Sequence, residues 1–196
     1  MTGPVDVLDF WLQEIGPAGW YTADSAVDAL CRDRFSELWQ AARDGGLDHW
    51  VDGTVGTMAY LVICDQLSRN MHRGHADAFA TDQQALAAAR TAIQNDWDMD
   101  APEPERQFFY MPFMHSEVAA DQALCIGYFQ TRMPQTGADQ VIHARAHEAV
   151  LQKFGRFPFR NQALGRIPAP DEDSYMANGG YMTTVAEIRA SHAPDA

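Results

Sequence analysis

Apolar residues recur along this chain at intervals of three and four, and no stretch alternates with the period of two that marks a half-buried strand. Val5, Leu8, Trp11, Leu12 and Ile15 form the first such stripe, opened by Pro4 and stopped by Gly16-Pro17. A second helix is predicted from Asp24 or Ser25, with Val27, Leu30, Cys31, Leu38 and Trp39 on its apolar side and Gly45-Gly46 at its end. Leu47 to Val51 reads as a short turn. From Thr54 to Asn70 the chain is so apolar that a central buried helix is expected, closed by Gly74. Thr81 with Gln84 has the form of a capping box and opens an alanine-rich helix running to Asn95. Helical turns follow from Arg106 to Met111, and Pro112 then breaks the path. Longer helices are predicted over Ser116 to Gln130 and Asp139 to Phe154, with short ones over Asp171 to Ala177 and Thr184 to Ala190.

Short connections between consecutive helices imply stacked antiparallel helical hairpins, an all-α array of about eight or nine helices. A chain of 196 residues can bury a substantial core. One domain is expected over residues 1–178, with 179–196 as a peripheral C-terminal tail.

Composition narrows the class of partner. Hydrophobic residues at 46% with 21% charged exclude wholesale disorder. No apolar run reaches the ~18–20 residues of a membrane span, and the N-terminus lacks a secretory pattern, so a cytoplasmic location is expected. A net charge of −13 disfavours nucleic acid and anionic membranes as partners. Cys31, Cys64 and Cys125 sit in apolar helical patterns and read as small buried hydrophobes, not as a disulfide or a zinc site. Of 14 basic residues, Lys153 is the only lysine. That bias is either compositional or a preference for the forked pairing of arginine with carboxylates and anions.

Three polar islands interrupt the apolar pattern. They are Asp65-Gln-Leu-Ser-Arg69-Asn70-Met-His-Arg73-Gly74, then Met114-His115-Ser116-Glu117 running on to Asp121-Gln122, then Phe154-Gly-Arg156-Phe157-Pro158-Phe159-Arg160-Asn161. Burying an unpaired charge costs roughly several kcal/mol, so these groups should meet one another or a ligand. Asp65, Arg69 and Arg73 share a helix face at i, i+4 and i+8, which pairs the first two and leaves Arg73 needing another acid or an anion. Glu117 and Asp121 stand at i,i+4 near a helix start, where the dipole tolerates acids even without a catalytic role. His143 and His147 lie on one stripe, but the His-Glu-x-x-His signature is absent, and a core histidine is the plainer reading. Arginines alternating with aromatics in the third island suit either an anion-binding corner or a packed loop. Nucleophile-elbow, phosphate-loop, dinucleotide, Cys-x-x-Cys and EF-hand signatures are missing, so no cofactor and no metal is expected.

Taken in order, the islands resemble the bacterial domain-of-unknown-function family 924. The matching stretches are Asp65-Gln66-Leu67-Ser68-Arg69-Asn70 with Arg73-Gly74, Phe79-Ala80-Thr81-Asp82, and Tyr110-Met111-Pro112-Phe113-Met114-His115-Ser116-Glu117. His147, Phe154-Gly155-Arg156-Phe157-Pro158, Arg160-Asn161 and Leu164-Gly165-Arg166 complete a resemblance running from Val7 to Tyr181. It implies an all-α fold similar to tetratricopeptide-like stacks, and no established activity. Phe159 and Val118 depart from it, standing where the family usually shows a histidine and an acid.

Three functions compete. In the first, the islands converge on a pocket for a small anionic or zwitterionic molecule or a peptide carboxylate, lined by Asp65, Arg69, Asn70, Arg73, Asp82, His115, Glu117, Asp121, His147, Arg156, Arg160 and Asn161. In the second, an enzyme uses His115 or His147 for acid–base work, with Glu117 or Asp121 orienting the imidazole. In the third, the islands are buried networks of an interaction scaffold. No oligomeric state follows from the sequence.

Overall fold

The computed structural model describes residues 2–191, and among them every regular element is helical. None of these helices is long and apolar enough to cross a membrane. The chain divides into two compact units, Met1–Pro112 and Phe113–Ala196.

In the first unit, α1 (Pro4–Leu8) continues as a π-helical stretch, Asp9–Ile15. The extra residue in that wide turn changes which side chains face inward. Val7, Phe10 and Trp11 are buried, whereas Val5 of the expected stripe is 60% exposed. Helix α2 (Ser25–Arg43) starts where the sequence places it, because the Asp24 carboxylate accepts from the Ala26 N–H at 2.7 Å. Its buried face carries Cys31, Phe35, Trp39 and Ala42.

The expected central helix is α3 (Thr54–Leu61), a second π-helical stretch (Val62–Leu67) and a last turn, Ser68–Met71. From Thr57 to Ser68 every residue is buried, Asp65 and Gln66 included. Helix α4 (Asp82–Gln94) follows Thr81, but the capping box does not form. The Thr81 hydroxyl donates to the Cys64 carbonyl at 2.5 Å, and Gln84 Nε2 donates to the Ala42 and Arg43 carbonyls at 3.0 Å each. Those acceptors close the C-terminal end of α2, where helical carbonyls lack partners of their own. Tertiary demand takes both polar groups away from the local motif.

In the second unit, α5 (Ala119–Arg132) and α6 (Ala138–Phe154) pack along one another across a five-residue connection. Helix α5 begins three residues later than the pattern suggests, since Val118 is extended. Two further helices complete the unit: α7 (Pro170–Ala177) and α8 (Gly180–Ser191), the latter packed against α6. Thus the segment expected as a peripheral tail carries a helix with Val185 buried and Thr184 hydrogen-bonded to the Tyr175 hydroxyl at 2.9 Å. Residues 192–196 of that tail lie outside the described part.

All three cysteines are buried, Cys31 and Cys64 in the first unit and Cys125 in the second. Burial pushes each thiol up, Cys31 to about 11 and the other two further.

Candidate functional site

The arginines and Asp65 of the first island are paired from within the first unit, while His72 Nε2 is buried without a hydrogen bond. Asp65, 1% exposed, receives Gln66 Nε2 at 2.5 Å and Arg69 Nη2 at 3.5 Å. Arg69 has a shorter pair to Asp82 at 2.7 Å, donates to the Ala78 carbonyl, and lies over the Phe79 ring at 4.7 Å. The acid that Arg73 requires is Asp28 of α2, held in a forked contact through Nε at 2.7 Å and Nη2 at 2.8 Å. Asn70 Nδ2 adds a third bond to the same carboxylate at 2.9 Å. The Arg73 hydrogen bond, with help from Asn70, holds the Asp28 carboxyl below its ordinary range in spite of burial. Nothing in the sequence around Asp28 marked it as a partner, because it lies 45 residues from Arg73.

Islands two and three meet one another in the second unit. Glu117 precedes α5 and does not share a helical face with Asp121, a correction that follows from the late start of that helix. Instead Ser116 Oγ donates to Asp121 Oδ2 at 2.7 Å, while Gln122 Nε2 reaches the carbonyls of Phe113, Met114 and Ser116. The freed Glu117 carboxylate accepts the Phe157 N–H at 2.8 Å and a forked pair from Arg166, both bonds 2.8 Å. Burial alone would raise the Glu117 carboxyl, but the hydrogen bonds from Arg166 and Phe157 outweigh it and hold the group ionised below the usual range.

Arg160, 5% exposed, donates to the His115 carbonyl at 2.8 Å with its guanidinium 4.9 Å over the Phe157 ring. Arg156 forks onto Glu172 with two bonds of 2.6 Å. Glu172 also accepts from Asn161 Nδ2 at 3.2 Å and from the Ala169 N–H at 2.7 Å, which caps α7. Arg156, then the Ala169 amide, depress its carboxyl to about 2. Neither Glu172 nor Arg166 stands among the candidates read from the sequence. Arg166 was legible only as part of a matched stretch, and Glu172 only as an acid in the first turn of a short helix after Pro170.

His147 is buried beside Phe157, Tyr181 and His115, the last with ring centroids 6.1 Å apart. Its Nδ1 lies 2.9 Å from the His143 carbonyl, a pure acceptor, so Nδ1 holds the proton and Nε2 the lone pair. Burial drives its pKa to about 3, and the ring is neutral at physiological pH.

Beside these networks lies an open hollow of about 420 Å³, bounded by Phe159, Asn161, Arg166, Pro168, Glu172 and Met176 among others. Two polar atoms of the residues that border it have no protein partner among the described residues, one sealed and one not. Asn161 Oδ1 is buried without a hydrogen bond. Arg166 spends both terminal nitrogens on Glu117, leaving its Nε–H without an acceptor among the described residues.

Fold and networks together define an all-helical protein built around internally paired arginines. The family described as "Bacterial protein of unknown function (DUF924)" matches residues 7–180, and the chain belongs to it. It is similar to a solved structure from Agrobacterium tumefaciens, the protein of unknown function ATU0120, at 37% identity and a TM-score of 0.83. The match covers 90% of this chain and 97% of that one. Among curated proteins no match was found.

Proposed function

We propose that this protein is a binding module whose ligand, a small anionic or zwitterionic molecule or a peptide carboxylate, enters the hollow beside Phe159 and Arg166. The observation that carries this reading is an unused donor, Arg166 Nε–H, on a residue that lines a hollow bordered by Phe159, Pro168 and Met176. Ligand sites characteristically combine apolar walls with a few converging polar groups. A cytoplasmic location belongs to the same proposal, since the three buried thiols form no disulfide among the described residues. Acid–base catalysis draws less support, because His147 rests on a backbone carbonyl and is too weak a base to hold a proton near neutrality.

The test is a thermal-shift and calorimetric screen of carboxylates and short peptides against the full chain. A ligand should give saturable stabilisation that grows with concentration. Met176→Trp, at an exposed position on the rim, should abolish it while leaving the unliganded melting temperature in place. Absence of saturable binding across the panel refutes the proposal.

One observation favours the scaffold reading for the first unit: Arg69 and Arg73 of its island are already engaged by Asp28, Asp65 and Asp82. There, Arg73→Ala should cost about 1 kcal/mol of stability in urea unfolding, a value kept low because the Arg73 side chain is 47% exposed and screened by solvent.

A further inference from the structure

A second hollow, of about 430 Å³, lies on another part of the second unit, where α6, α7 and α8 meet. Its floor is the ring pair Phe154 and Tyr175, with centroids 4.9 Å apart, and Tyr175 is pinned by its bond to Thr184. Over this floor stands Lys153, the one lysine of the chain, with Nζ 5.1 Å from the Phe154 ring and 5.5 Å from the Tyr175 ring. Ring faces, not a carboxylate, hold this ammonium, so its three donors are left for another acceptor. Asp171 and Glu187 line the same hollow, and neither forms an ion pair with Lys153. Opposite charges are therefore kept apart across an aromatic surface, which is the complement of a dipolar molecule. A pure anion would meet two carboxylates, and a pure cation would meet the ammonium seated on the rings. The volume lies in the roughly 300–1,000 Å³ range of small-molecule sites.

We propose that this hollow is a separate binding site for a free α-amino acid with a large apolar side chain, its carboxylate on Lys153, its ammonium on Glu187 and Asp171, and its body on Phe154 and Tyr175. The proposal goes beyond the carboxylate site beside Arg166 and does not depend on it.

The lone lysine makes the test direct. Reductive 13C-methylation of the full chain keeps the positive charge and labels only Lys153 and the N-terminal amine, so a single side-chain resonance reports the site. Titration with L-phenylalanine should shift that resonance saturably. N-acetyl-L-phenylalanine, lacking the ammonium, and L-phenylalanine amide, lacking the carboxylate, should each bind at least about tenfold more weakly. The double variant Asp171→Asn/Glu187→Gln should lose at least about tenfold in affinity. Met176→Trp, which narrows the other hollow, should leave this binding unchanged. The proposal is overturned if no saturable shift occurs, if the two singly charged analogues bind as well as the zwitterion, or if the double variant binds as the parent does.

Discussion

Gly56→Ala should destabilise the first unit by about 3 kcal/mol, near the upper end of what overpacking costs. A Cβ at position 56 would sit 2.2 Å from the Trp50 carbonyl oxygen and 3.1 Å from its carbon, and backbone cannot rotate aside as a side chain can. Trp50 is itself buried, so moving it away disturbs the packing of its ring as well. Gly53→Ala is the control. Its Cβ would meet nothing within 4 Å, and its backbone is extended, so its loss should stay within about 1 kcal/mol. Urea melts followed by tryptophan fluorescence compare the two, and equal midpoints would show that the chain yields around Trp50.

Glu117→Gln should cost about 2–3 kcal/mol, because it removes the counter-charge of Arg166 in a half-buried setting and weakens the anchor on the Phe157 amide. The same substitution should alter the acid limb of stability. Glu117 and Glu172 both have folded-state pKa values below the 4.5 of a free glutamate. For depressed carboxyls, the stabilisation is complete above the unfolded value and is lost as pH falls through the folded one. Wild-type stability should therefore hold above pH 4.5 and decline below it, with the part due to Glu172 vanishing only near pH 2. In Glu117→Gln the curve should start lower and fall less steeply, since the Glu117 share is gone while those of Glu172 and Asp28 remain to titrate. Parallel curves for the two proteins would mean that the Glu117 carboxylate is not the one responding.

Contiguous residues carry the helix ends, whereas partners brought together by folding leave no mark beside one another in the chain. Helix boundaries set by contiguous residues were legible: Asp24 caps α2, α6 ends at Phe154, and α7 spans nearly the expected range. Of the five tryptophans, Trp11, Trp20, Trp39 and Trp50 are inside, as their size suggests, and Trp97 is half-buried. Partners remote in sequence were not legible. Arg73 announced a need for an acid but carried no pointer to Asp28, and Glu117 gave no sign that Arg166 would grip it across 49 residues. The periodicity of an ordinary helix also concealed both π-helical stretches, because a single extra residue per turn leaves an apolar run looking the same. Gly53-Thr-Val-Gly56 was too generic to single out, and the requirement at Gly56 comes from a carbonyl that only the folded chain brings close.

The placement of the thiols gives each half of the chain its own clock. Because a buried, protonated sulfur resists alkylation, reagent added at neutral pH modifies a cysteine only in molecules that have opened around it. Modification of Cys31 and Cys64 dates the opening of the first half, and modification of Cys125 that of the second. Mass spectra of a timed alkylation thereby separate the two opening rates in one sample, with no probe engineered in.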